Sequence, residues 1–238
     1  MKILELLYNQ ENKYIDEIDR LEKFPEDVIF IEADNNSGWV CLNAQENTFD
    51  WNIVRLVGSF DEAKEKINDI PFDDFVLLVD EDSDLSDNSN FKHNGNLIYF
   101  ENTITSQLEY DEIEANSYLN CSEIGIPKNC IKARASSLNS RIDDLFLVMK
   151  NIVCGYIKVI KTSWHYAEVA IEINAEFRNQ GFGTVLMELM TRQFSLKGLK
   201  MSYVVENDNI ASVKLANNFL KESFRLDKYY FRDERLKI

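Results

Sequence analysis

The chain has 238 residues, 45% hydrophobic and 12% aromatic, enough apolar side chain to bury a core and to exclude disorder of the whole chain. The net charge of −15 is unevenly held: residues 1–95 carry 23 acidic and 8 basic side chains, whereas residues 96–238 carry 18 of each. Such asymmetry predicts two units and excludes a general nucleic-acid binder, because the acidic half repels a phosphate backbone.

Residues 2–23 space Ile3, Leu6, Leu7, Ile15, Ile18 and Leu21 as a helix would. Strands are expected at 28–33, 39–44 and 51–58, which are rich in β-branched and aromatic residues. Ser59 offers a helix cap, and Pro71 closes that helix ahead of a strand at 75–79. The polar, acidic stretch 80–96 reads as a linker or as a long surface loop. It lacks the spaced pattern of a calcium loop. The expected domains are therefore 1–95, an acidic α/β unit, and 96–238.

After that stretch, 96–102 reads as a strand, 104–119 as a helix, and 120–143 stays ambiguous. Strands follow at 145–150, 152–161 and 165–174. A helix then carries Phe182, Val185, Leu186, Leu189 and Met190 on one stripe and stops at Gly198. A strand at 200–206, a helix at 209–220 and a strand at 223–231 complete the order. The fold class is mixed α/β (α+β), with a mixed sheet rather than a plain doubly wound one.

No stretch approaches the ~20 apolar residues of a membrane span, and the N-terminal segment lacks the apolar run of a signal peptide. Cys41, Cys121, Cys130 and Cys154 form no C-x-x-C pair, and His93 and His165 complete no usual zinc site with them. A cytoplasmic, metal-free protein with reduced thiols and no membrane partner is expected.

Two of the chain's eight glycines, Gly181 and Gly183, sit two residues apart where a helix begins. Glycine there costs about 1 kcal/mol of helix stability relative to alanine, so a compensating role is expected. A helix N-terminus free of side chains offers N–H donors and a positive dipole end to a phosphate; the plainer reading is close packing of helix on sheet. A dinucleotide-binding reading fits poorly, since the third glycine is missing and the flanking strands form a meander.

The segment Arg178-x-x-Gly181-x-Gly183, between a strand and an amphipathic helix, resembles the acetyl-CoA signature [Q/R]-x-x-G-x-[G/A] of the GNAT N-acetyltransferase superfamily. Asn209-Ile210-Ala211-Ser212-Val213-Lys214-Leu215-Ala216 is similar to that family's second, cofactor-side helix. The resemblance covers 140–231, with 96–139 added by topology. It implies a GNAT-like acyl-CoA N-acyltransferase fold preceded by the smaller N-terminal domain, which would itself read as a degenerate GNAT-like half without a glycine motif.

The resemblance further implies acetyl-CoA as cosubstrate and a primary amine of a small molecule or peptide as acceptor. Coenzyme A pyrophosphate would be held by Arg178, Asn179, Gln180, Gly181, Phe182, Gly183 and Thr184. The pantetheine arm would run beside Ile171, Glu172 and Ile173, with Asn209 and Ser212 contributing from the second helix. The local excess of six positive charges over 126–238 suits a polyanionic cofactor.

For catalysis, Glu168 lies near the position of a glutamate base in some members, and reads equally as a half-exposed strand glutamate. Glu172 shares its face by period-2 alternation, and Tyr203 is a candidate acid beside Tyr229 and Tyr230. Where many members carry the acid tyrosine, this chain has Ala216, and the usual glycine-phenylalanine after that helix is altered to Leu220-Lys221 or Ser223-Phe224. His165, at the start of its strand, is a weaker candidate. The alternative function is a GNAT-like module that binds coenzyme A without turnover. A cationic acceptor would be drawn by Asp73, Asp74 and Asp80 if the acidic domain lined its path, the plainer role of that acidity being solubility. An unpaired strand edge would suit a homodimer.

Overall fold

The computed structural model describes residues 2–44, 51–81, 83, 85, 90–102, 130–136, 142–149 and 152–232. The chain forms two compact units. The first comprises Met1–Ile98, Val205–Asn209 and Phe224–Ile238, and the second Tyr99–Val204 with Ile210–Ser223. The helix expected at 104–119 and most of the ambiguous stretch 120–143 lie outside the described residues.

In the first unit the helix expected over 2–23 is broken into α1 (Lys2–Asn9) and α2 (Ile15–Lys23). The amides of Lys13 and Tyr14 fold back on the Gln10 carbonyl at 2.8 and 3.3 Å, and this turn puts Tyr14 into the core. Strands β1 (Val28–Glu32), β2 (Gly38–Leu42) and β3 (Ile53–Val57) pair antiparallel in succession. The β1–β2 turn uses Asn35 and Asn36 at φ of 50° and 65°, a left-handed conformation that asparagine tolerates.

After β3, Ser59 precedes the one-turn helix α3 (Phe60–Ala63) but makes no side-chain cap, and a 3₁₀ stretch (Lys64–Asp69) follows. The chain returns as β4 (Asp74–Asp80), parallel to β3. The strand β11 (Lys221–Arg232) adds antiparallel to β4 over Leu226–Arg232. Because β2 is buried on both faces, two cores form. Trp39, Cys41, Val54, Leu56, Phe75 and Leu77 pack with Ala63 on one side; Val40, Leu42 and Val57 pack with Ile3, Leu7, Tyr14 and Ile18 on the other.

The strand β5 (Phe91–Glu101) begins earlier than the sequence suggests, within the stretch read as linker or loop. Phe91 anchors that start, its ring meeting Phe75, Tyr229 and Phe231 at centroid distances of 6.5, 6.5 and 5.1 Å.

The second unit is built on an antiparallel meander of β6 (Cys130–Ser136), β7 (Asp143–Met149), β8 (Ile152–Thr162) and β9 (Tyr166–Ile173). Helix α4 (Phe182–Lys197) then crosses to β10 (Lys200–Glu206), which is parallel to β9. Phe182, Val185, Leu186, Leu189, Met190 and Phe194 are the buried stripe of α4, and Gly198 ends it at φ 64°. Helix α5 (Ile210–Asn217) follows, with Ala216 fully buried. No helix of the described residues is long and apolar enough to cross a membrane, and none of their His, Cys, Asp and Glu side chains group as three or more around a metal position.

Candidate functional site

The glycine segment owes its shape to two left-handed residues. Asn179 has φ 61°, and Gly181, the residue capping α4, has φ 86° and ψ −4°. A Cβ on Gly181 would meet nothing within 4 Å, so backbone conformation, and not crowding, calls for glycine there. Gly183 differs. Its added Cβ would lie 3.4 Å from Leu215 Cδ2 and 3.7 Å from Ile173 Cγ1, ordinary contact between α4, α5 and the end of β9. Among the described residues no side chain caps the start of α4.

Local hydrogen bonds hold this turn. Arg178 Nε donates to the Ile173 carbonyl at 3.0 Å, tying the loop to the end of β9, and Gln180 Nε2 donates to the Glu176 carbonyl at 2.9 Å. The Asn174 amide donates to Cys154 O at 2.9 Å, fixing the exit of β9 against β8.

The edge of β9 is the second element of the site. Its parallel ladder with β10 pairs Tyr166, Ala167 and Glu168 with Lys200, Met201 and Ser202. Among the described residues that ladder ends at Glu168, whereas on the β8 side pairing continues to Ile173. The backbone edge from Val169 to Ile173 is thus left for an extended ligand, directly ahead of the glycine turn.

Along β9, Tyr166 to Val169 are buried in succession and exposure begins towards the Ile173 end. Glu172 is exposed and accepts a hydrogen bond from the hydroxyl of Tyr156, its cross-strand partner. Glu168 is only 3% exposed, and Lys161 Nζ donates to its Oε1 at 3.1 Å. Tyr203 is buried on β10 and hydrogen-bonded to Ser212; burial raises its hydroxyl above the usual phenol range. Asn209, just before α5, donates its amide to Glu206 O at 2.9 Å.

Sequence reasoning missed a polar cluster at the start of β9. Lys200 Nζ donates to the Tyr166 hydroxyl at 2.9 Å, and that hydroxyl also reaches Glu101 Oε2 at 3.4 Å. The parallel register that sets Lys200 opposite Tyr166 joins residues far apart in the chain, so no local pattern signals it. His165 is exposed beside the hairpin residue Trp164, apart from the β9 edge described above.

A meander, a glycine-capped crossover helix and a short parallel pair make a mixed α/β fold. Residues 127–219 match the family model described as Acetyltransferase (GNAT) family. A GCN5-related N-acetyltransferase from Kribbella flavida is similar over 94% of this chain and 96% of its own, at 10% identity and a TM-score of 0.59. A GCN5-related N-acetyltransferase from Sphaerobacter thermophilus shares 9% identity over 81% of this chain and 76% of its own, with a TM-score of 0.51. An acetyltransferase from the GNAT family of Colwellia psychrerythraea shares 12% identity over 96% of this chain and 97% of its own, with a TM-score of 0.50. At such identities the likeness is one of fold. No curated protein matches the sequence. Residues 127–219 are thus similar to the GNAT acetyltransferase family, and the solved structures share the fold of the chain.

Proposed function

We propose that the second unit is an acetyl-CoA-dependent N-acetyltransferase acting on a primary amine of a small molecule or peptide. The observation that carries this reading is the left-handed turn at Asn179–Gly181, opening α4 beside the unpaired edge of β9. The segment Arg178–Thr184 suits a pyrophosphate, because uncapped amides and the helix dipole favour an anion. The edge at Ile171–Ile173 suits the pantetheine arm, whose amides can pair with a free strand.

Acetyl-CoA supplies the acetyl group as a thioester, from which an amine takes it with release of the thiol. The chain's part is to deprotonate the ammonium and shield the reacting groups from water. Of the two glutamates on one face of β9, Glu168 is the shielded one and serves as the base, directly or through a water. Glu172 is exposed and held by Tyr156, which suits a role in orienting the strand edge. Tyr203 keeps its proton because burial raises its pKa, so it is the candidate acid for the leaving thiolate.

One observation favours the alternative, a module that holds coenzyme A without turnover. Ala216 is fully buried where many family members carry the acid tyrosine, and Tyr203 already bonds Ser212. Thermal denaturation with and without acetyl-CoA, comparing wild type with Gly181→Asp, tests binding. A ligand at ~100 times its Kd adds about 2.7 kcal/mol to wild type, and the introduced carboxylate removes that gain. Thiol release with polyamines, aminoglycosides and peptide N-termini then separates enzyme from module. Absence of any acetyl-CoA shift in wild type refutes both readings.

A further inference from the structure

We propose that Lys161 is a positioning residue that keeps the Glu168 carboxylate ionised for proton abstraction; this rests on Glu168 being the base. The inference comes from the register of β8 on β9. Lys158 faces Ala170 and Val159 faces Val169, so regular pairing would set Ile160 opposite Glu168. The register shifts there, and Lys161 takes that place, with Thr162 opposite Ala167. One extra residue in β8 thus replaces an isoleucine by an ammonium as the cross-strand neighbour of Glu168. Bulges of this kind re-aim side chains next to functional sites.

The strand is held where the shift occurs. Asp144 of β7 accepts the Val159 amide at 2.9 Å, fixing β8 immediately before the extra residue. The side chains of Lys161 and Glu168 are 18% and 5% exposed, and Nζ meets Oε1 at 3.1 Å. A carboxylate so far from water favours its neutral form, which cannot take a proton from an ammonium substrate. A nearby ammonium opposes that penalty and returns the group to the ionised form. Other polar groups line the same strands. Ser202 pairs opposite it on β10 and is neutral, while Lys200 is bonded to the Tyr166 hydroxyl, which also faces Glu101.

The proposal predicts a rise of about 1–3 pH units in the Glu168 titration when the ammonium is removed. The measurement is the carboxyl ¹³C shift of Glu168 against pH in the full chain, assigned by its loss in Glu168→Gln. It is followed in wild type, Lys161→Met and Lys161→Arg. The expected result is an upward-shifted titration in Lys161→Met and a wild-type one in Lys161→Arg. Lys161→Gln replaces the methionine variant if that one does not fold. Equal Glu168 titrations in wild type and the uncharged variant overturn the proposal. With an accepted amine, the acid limb of kcat/KM moves up in step with the titration in Lys161→Met. An unmoved limb, with turnover lost in Glu168→Gln, overturns the assignment of Lys161 alone. Full turnover in Glu168→Gln overturns the base reading on which it rests.

Discussion

Alanine at Gly181 and at Gly183 should change stability in opposite directions. Gly181 sits at φ 86° with open space around the missing Cβ. Alanine there meets no clash but is forced into the left-handed region, at a cost of about 1–2 kcal/mol. Gly183 lies within α4 and needs no left-handed conformation; its added methyl makes ordinary contacts with Leu215 and Ile173. Glycine inside a helix costs about 1 kcal/mol relative to alanine, so Gly183→Ala should gain up to that amount. For a chain of this length each kcal/mol moves the midpoint by roughly 2–4 °C. Thermal denaturation of both variants without ligand should therefore show Gly181→Ala lowered by about 2–8 °C and Gly183→Ala raised by up to about 4 °C. Shifts of the same sign would refute the assignment of one glycine to backbone conformation and the other to a tolerant helix position. The pair also separates strain from binding. Gly181→Ala adds no charge, so its loss of stability should leave the acetyl-CoA-induced increment that Gly181→Asp abolishes.

Two other perturbations test the first unit. Arg55 is 1% exposed, and its Nε and both Nη atoms find no hydrogen-bond partner among the described residues; its guanidinium lies 5.2 Å from the Tyr14 ring centroid. Replacing a buried ion by an apolar residue is often neutral or stabilising by about 1–4 kcal/mol, and the lost ring contact offsets about 1–2 kcal/mol of that. Arg55→Leu should accordingly unfold at the same or higher urea concentration; a clear drop would mean that the guanidinium is held by a bonded counter-group. Burial raises the Asp227 carboxyl above its ordinary value, against the opposing pull of His93 and the hydrogen bond from Asn96. A raised folded-state value means that folding binds a proton, so this stabilising contribution is complete below the ordinary carboxylate range and lost as pH rises through the raised value. Asp227→Asn should therefore gain stability at pH 7 relative to pH 4 when compared with wild type, measured by urea denaturation at both; an unchanged difference refutes the reasoning.

Local chemistry made much of the second unit legible. The stripe of α4, its stop at Gly198 and the strands from β7 to β10 follow from side-chain periodicity and from one glycine that had to be left-handed. Elements governed by distant partners were less so. Nothing within residues 2–23 marks a helix break, since neither proline nor glycine occurs there. The turn at Gln10–Tyr14 instead serves to seat Tyr14 among Ile3, Leu7 and Ile18. The polar start of β5 was hidden for the same reason. It looks like loop because only Phe91 is strongly apolar, and that ring is held by Phe75 and Phe231 from elsewhere in the chain. Likewise, the pairing of β11 with β4 joins residues about 150 positions apart and has no local signature.

The same division runs through the site. The proposed phosphate cradle is made by backbone, so the residues that shape its turn are local, and two glycines in a glycine-poor chain mark it. A proton-transfer group depends instead on what faces it across the sheet. Period-2 alternation puts Glu168 on one face of β9 with Glu172, but regular pairing continued along β8 would bring Ile160 opposite, not Lys161. A single inserted residue makes that difference, and on the proposed reading it sets an ammonium in place of an apolar wall beside the glutamate. Composition could not reveal this either: the net −15 resides in residues 1–95, whereas the lysine bonded to Glu168 at 3.1 Å comes from β8. A fold of this kind can thus be read from a motif, while the neighbour of its proposed base is set by register.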